Sequence, residues 1–143
     1  MDGDAPPWVR IGLVVLAPAQ IVTGLWALVA TRSWFDDFPG VGARLVAAEP
    51  PFNEHLARDA GAGFLATGVA LLAAALLCRR SAVLVALLAY VSFGVPHLVH
   101  HAANPPAALS GVAQATNVVL LSSGVVFALV LAWGARPSAA GAP

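Results

Sequence analysis

Charge is scarce in this chain, and its basic residues are all of one kind. Of 143 residues only 10% are charged, the seven basic residues are all arginine, and the formal net charge is zero. A nucleic-acid-binding protein needs a cluster of basic side chains. The composition therefore argues against nucleic acid as a partner. The single cysteine, Cys78, also excludes an intramolecular disulfide.

The sequence also lacks the short motifs of several common enzyme classes. It contains no G-x-x-x-x-G-K-[ST], no C-x-x-C, no H-E-x-x-H and no G-x-S-x-G. These motifs mark phosphate-binding loops, thiol redox sites, zinc proteases and hydrolases. No reaction can therefore be assigned from a local motif.

Apolar residues, by contrast, dominate the chain. They make up 59% of it, and the mean hydropathy is +0.83, which is typical of an integral membrane protein. A span needs about 20 apolar residues, and the uncharged stretches 11–31, 60–78 and 81–135 reach or approach that length. The third stretch holds two spans, because Asn104-Pro105-Pro106 interrupts any helix there.

The predicted fold is therefore all-α, a polytopic membrane protein with four transmembrane helices in an up-down bundle. We predict the helices at about 10–31, 54–78, 81–101 and 108–134, within a single membrane domain over 1–143, and a disordered tail at 135–143.

The arginines predict the orientation in the membrane. In an up-down bundle of four spans, the N-terminus, the second loop and the C-terminus share one side. That side carries Arg10, Arg79, Arg80 and Arg136. The first loop mixes arginine with acidic residues, and the third loop has no basic residue. The positive-inside rule therefore predicts both termini in the cytoplasm.

Polar residues gather at the outer ends of the predicted helices. Helical phase places His55 and Asp59 on the same face as a ladder of alanines, Ala62, Ala66, Ala70 and Ala74, that is typical of close helix packing. We therefore expect His55 and Asp59 to point inward, within about 6 Å of His97 or His101 on the third helix. His100 should point elsewhere. The predicted binding residues around this site are Glu54, Arg58, Tyr90, Gln114 and Asn117.

Two chemistries fit this set of residues. Ionisable groups facing a membrane bundle are costly, which favours a function. His55, Asp59, His97 and His101 have the ligand types and the spacing for Zn, Cu or Fe. As candidate catalytic residues, the same four could instead transfer a proton to a lipid-soluble substrate. A structural reading also stands, because Asn53 suits an N-cap and Glu54 can pair with Arg58 one turn later.

Two segments carry a resemblance to a known group. N-E-H-L-A-R-D-A-G at 53–61 and P-H-L-V-H-H at 96–101 resemble the signatures N-E-H-x-x-R-D-x-G and P-H-x-x-x-H of small uncharacterised bacterial four-helix membrane proteins. The architecture is also similar to the DoxX-like set, some of whose members are membrane subunits of quinone-linked oxidoreductases. The resemblance implies a site at Glu54, His55, Arg58, Asp59, His97 and His101, without supplying a reaction.

The leading hypothesis is a small membrane protein with a polar pocket that binds a transition metal, a haem or a quinone-like ligand in a redox or accessory role. One alternative is a non-catalytic subunit that packs against other membrane subunits. Another is a membrane isomerase or cyclase that uses acid-base chemistry on a lipid. Apart from the lipid bilayer, the sequence names no partner, and it leaves open whether the protein is an enzyme.

Overall fold

The computed structural model describes residues 3–136, and this part of the chain is helical without any named strand. Its helices are α1 Pro7–Val29, α2 Thr31–Asp37, α3 Glu54–Leu77, α4 Arg80–Ala103 and α5 Gly111–Gly134. The four long helices are apolar enough to cross a membrane, with hydropathy between 1.9 and 2.1. The predicted fold class is confirmed. Each long helix begins and ends within three residues of its predicted bounds.

Local sequence explains where these helices start and stop. The Asn53 side chain accepts a hydrogen bond from the Leu56 N–H at 3.1 Å, and Ser110 caps α5 in the same way. These caps satisfy backbone donors that a helix start leaves unpaired. The helix α4 ends just before Asn104-Pro105, where the residue before a proline is disfavoured in a helix.

The long helices pack in chain order. Contacts join α1 to α3, α3 to α4, and α4 to α5, and α5 returns to α1. At one end, the segment before α1 meets the turn between α3 and α4, because the Ala5 N–H donates to the Cys78 carbonyl at 2.7 Å. Arg80 in turn donates to the Arg136 carbonyl after α5. We call this the turn end, and its contacts agree with an up-down order of helices.

The opposite end, the loop end, is covered by the long loop of residues 38–53. The sequence analysis did not predict α2, which precedes this loop. Arg32 on α2 pairs with Asp36 at 2.7 Å and lies over the rings of Phe35 and Phe52. The two phenylalanine rings are 5.1 Å apart. These contacts hold the end of the long loop against α2.

The closest helix contact is made by glycines and differs from the prediction. A Cβ added to Gly24 on α1 would lie 2.5 Å from the Leu65 backbone nitrogen on α3, and one added to Gly61 would lie 2.8 Å from the Cβ of Ala27. Of the predicted packing face, Ala62 and Ala66 are exposed, whereas Ala74 is buried in the core and Ala70 packs against it. The alanine ladder therefore packs only in its half near the turn end, because a four-residue repeat drifts around an α-helix by about 40° at each step. The contact with α1 is made by glycines instead, which allow two backbones to approach more closely than alanine does.

The predicted disordered tail is only partly within the described residues. Ala135 is fully buried and continues the packing of α5. Residues 137–143 lie outside the part that the structure describes. The boundary of the predicted tail was therefore placed too early at residue 135.

Candidate functional site

The start of α3 is built largely for structure. Glu54 and Arg58 form the predicted ion pair, with 3.0 Å between Arg58 Nη2 and Glu54 Oε1. Arg58 also donates to the Leu28 carbonyl at 3.0 Å. That carbonyl lies in the last turn of α1, where a helix leaves its acceptors unpaired. Arg58 therefore joins α3 to the end of α1.

His55 and Asp59 lie on the outside of the bundle. They pair with each other at 3.4 Å, and their side chains are 83% and 63% exposed. The prediction that they point inward was wrong. Its reason was the alanine ladder, whereas the glycine contact with α1 turns the first half of that face, up to Ala66, away from the neighbouring helices.

His97 and His101 adjoin each other near the end of α4, with ring centroids 4.6 Å apart. The His97 ring stacks on Phe93 at 5.8 Å, and Phe64 of α3 meets its edge at 5.9 Å. His97 therefore belongs to an aromatic group that spans α3 and α4. His100 is exposed, as helical phase predicts, although its ring is 5.5 Å from that of His101.

Two polar side chains, Glu49 from the long loop and Gln114 from α5, meet at His101. Its Nδ1 is 3.7 Å from Oε1 of Glu49 in the long loop, a separation too long for a hydrogen bond. Gln114 on α5 donates from Nε2 to the His101 carbonyl at 2.5 Å. Glu49 Oε1, His101 Nδ1 and Gln114 Oε1 are all buried without a hydrogen-bond partner. We call Glu49, His101 and Gln114 the His101 cluster.

Glu49 is the member of this cluster that the sequence analysis missed as a site residue. It is the single acid in the apolar segment L-V-A-A-E-P-P-F at 45–52. An isolated acid among apolar residues is unusual unless it has a partner. That signal could have marked Glu49, but which partner it meets depends on how the long loop folds back.

The remaining predicted binding residues lie on α4 and α5. Asn117 is buried one turn after Gln114, and the Tyr90 hydroxyl approaches Gly124 of α5.

An open apolar groove of about 390 Å³ lies between α3 and α4 near the turn end, lined by residues such as Ala70, Leu77 and Val85. This groove is well removed from the His101 cluster and carries none of the predicted site residues.

The donor set does not fit the predicted metal site. The contacts pair His55 with Asp59 on α3 and His97 with His101 on α4. Across residues 3–136, no three or more His, Cys, Asp or Glu side chains come together in a way that could hold a metal ion. The four-ligand prediction is therefore corrected, because the orientation of α3 removes two of the ligands.

Comparisons with family models, with curated proteins and with solved structures found no match for this chain. The resemblance to small bacterial four-helix membrane proteins and to the DoxX-like set stays a prediction.

Proposed function

We propose that this multi-pass membrane protein binds a lipid-soluble, quinone-like ligand at the His101 cluster, in a redox or accessory role. One observation carries the proposal. Glu49 Oε1 and His101 Nδ1 face each other at 3.7 Å, Gln114 bonds the His101 carbonyl, and these two atoms and Gln114 Oε1 are buried without hydrogen-bond partners. They come from the long loop, α4 and α5, so the site unites three separate parts of the chain.

The unpaired atoms define the polar part of the ligand. A buried polar atom without a partner costs about 1 to 3 kcal/mol, so three at one site favour a bound molecule that supplies hydrogen bonds. A quinone or quinol carries carbonyl or hydroxyl oxygens. A carbonyl oxygen can accept from an imidazole N–H, and a hydroxyl can donate to the carboxylate of Glu49 or the amide oxygen of Gln114.

The neighbouring rings supply an apolar surface for the rest of the ligand. His97 stacks on Phe93 with an angle of 16° between the ring planes, and both meet the edge of Phe64. Offset and edge-to-face contacts are the arrangements that aromatic rings prefer. A ring-bearing ligand beside His101 can extend this group. His97 is then an apolar contact, and His101 is the polar one.

Within this site each residue has a distinct task. His101 presents Nδ1 to the ligand, as donor or acceptor according to its tautomer. Glu49 faces the same nitrogen, and its side chain remains 38% exposed, so the carboxylate connects the buried site with solvent. Gln114 fixes the backbone of α4 through the His101 carbonyl and directs its other amide atom into the protein.

The proposed setting is a bacterial inner membrane with both termini in the cytoplasm. Its support is the arginine distribution, because four of the seven arginines lie at the turn end together with both ends of the described chain. The His101 cluster then opens to the outer side. The DoxX-like resemblance suggests a larger quinone-linked complex as the partner.

Ligand binding can be measured on the detergent-purified protein with a short-tailed quinone as the probe. Tryptophan fluorescence quenching gives Kd, and a thermal shift gives a second readout. We expect Glu49→Gln and His101→Leu each to raise Kd about tenfold, the equivalent of one lost hydrogen bond. His100→Leu is the matched control, one residue away on the exposed side of α4, and should leave Kd unchanged.

Two results would contradict the quinone assignment. One is the absence of saturable quinone binding by a folded protein. The other is equal weakening by His100→Leu and His101→Leu, which would indicate a general effect on α4. Stoichiometric haem or metal in the purified protein would likewise replace the quinone with another ligand.

A non-catalytic subunit is the second candidate. The observation in its favour is that Ala62 and Ala66 are exposed on α3 below the exposed His55–Asp59 pair. Small residues allow another membrane helix to approach closely. In that case the protein should co-purify with a larger membrane complex, and Ala66→Leu should abolish that co-purification. Glu49→Gln should then leave quinone binding unchanged.

A further inference from the structure

The two ends of the bundle carry opposite charge. Within the described residues, the turn end has four arginines, Arg10, Arg79, Arg80 and Arg136, and one acid, Asp4. The loop end has three arginines against five acids, Asp36, Asp37, Glu49, Glu54 and Asp59. The turn end is therefore the electropositive face of the molecule.

Two of the four arginines at the turn end are occupied by the protein itself. Arg80 donates from Nε to the Asp4 carbonyl at 3.0 Å and from Nη1 to the Arg136 carbonyl at 2.7 Å. Arg79 pairs with the Asp4 carboxylate at 3.3 Å. These contacts tie the N-terminal segment, the α3–α4 turn and the end of α5 together, so the backbone that carries the other two arginines is fixed.

The side chains of Arg10 and Arg136 are the two that remain at the turn end. Both are exposed, and neither makes a side-chain hydrogen bond or ion pair with any part of the chain that the structure describes. They lie where α1 begins and just after α5 ends. The Trp8 ring packs directly on Gly134, so these two helix ends are adjacent.

Exposed tryptophans accompany these arginines. Trp8 is 45% and Trp133 is 71% exposed, and each lies within three residues of an unpaired arginine. Tryptophan prefers the headgroup level of a bilayer. The two tryptophans therefore favour a position of the turn end at the headgroup level.

From this arrangement we infer that the turn end is a binding site for anionic phospholipids, whose headgroup phosphates pair with the exposed guanidinium groups of Arg10 and Arg136. A guanidinium presents a fork of donors that matches two phosphate oxygens. Basic residues next to a membrane are also attracted to anionic lipid in general. The site is independent of the quinone-like ligand, because it lies at the other end of the bundle.

The test compares lipid binding to the full chain in detergent, with phosphatidylglycerol as the probe and phosphatidylcholine as the neutral lipid. Bound lipid per protein is counted by native mass spectrometry. We expect phosphatidylglycerol to be retained in preference. Arg10→Gln and Arg136→Gln should each weaken that preference roughly fivefold, and the double variant should weaken it further.

Matched variants separate this site from general charge effects. Arg44→Gln removes an exposed arginine without a described partner from the loop end and should leave the preference unchanged. The Arg10→Lys, Arg136→Lys double variant keeps the charge and should retain most of the lipid. An equal loss in Arg44→Gln, or equal binding of both lipids by the unmodified protein, would overturn the proposal. Displacement of bound phosphatidylglycerol by an equal concentration of inorganic phosphate would also overturn the proposal, since it would indicate a site for free anions.

Discussion

At the scale of single residues, Arg58 makes two contacts that stabilise the bundle to different extents. Its ion pair with Glu54 is formed by side chains that are 50% and 61% exposed, and such surface pairs contribute at most about 1 kcal/mol. Its hydrogen bond to the Leu28 carbonyl links two helices. A charge-assisted bond of this kind contributes more than a neutral one.

We therefore expect Arg58→Gln to destabilise the bundle more than Glu54→Gln. The first change removes both contacts and should cost about 1 to 2 kcal/mol after allowance for exposure. The second removes only the ion pair and should cost less than about 1 kcal/mol. The double variant should cost less than the sum of the two. Unfolding in detergent measures all three, and additive effects would mean that the pair does not interact.

At the scale of helices, the contact between α1 and α3 decides which way α3 faces. Gly24 meets backbone atoms of Leu65 and Gly61, and Gly68 meets Ile21, so neither contact leaves space for a side chain. Backbone atoms cannot move aside as a flexible side chain can. The orientation of His55 and Asp59 follows from these glycines, although they lie in other parts of the sequence.

Gly24→Ala should therefore destabilise the bundle by about 1 to 3 kcal/mol, the usual cost of overpacking. Gly111→Ala is the control, because an added Cβ there meets nothing within 4 Å. Ala66→Leu on the exposed face should change stability by no more than about 0.5 kcal/mol. Thermal unfolding of the three variants gives the comparison. A larger loss from Ala66→Leu than from Gly24→Ala would restore the alanine ladder as the packing face.

These elements also mark the limit of what the sequence could predict. Hydropathy and the prolines at 105 and 106 were sufficient to predict the four long helices, because the length and apolar composition of a membrane span can be read from a local segment. The ion pair between Glu54 and Arg58 could be predicted from their spacing of four residues on a helix. The contact of Glu49 with His101 joins residues 52 positions apart, and no helical period relates a loop residue to a helix. The candidate site therefore moved from the face of α3 to the long loop, α4 and α5.

At the scale of the whole molecule, the two ends differ in the features that set orientation in a membrane. The turn end gathers arginines and both ends of the described chain, and the loop end gathers the acids and the His101 cluster. Arg44 in the long loop is exposed, and Arg79 at the α3–α4 turn is 55% exposed. Cysteines at these two positions would both be accessible from their own side of the membrane.

We expect Arg44→Cys to react with an impermeant thiol reagent in intact cells and Arg79→Cys to remain unlabelled, because the positive-inside rule predicts that the arginine-rich turn end lies in the cytoplasm. Both variants need a Cys78→Ser background, since the native thiol adjoins Arg79. Permeabilised cells provide the control, in which both cysteines should react. The reverse pattern in intact cells would invert the protein and open the His101 cluster to the cytoplasm. Labelling of both without permeabilisation would mean that the two ends do not lie on opposite sides of a membrane, and the four-span topology would fail with it.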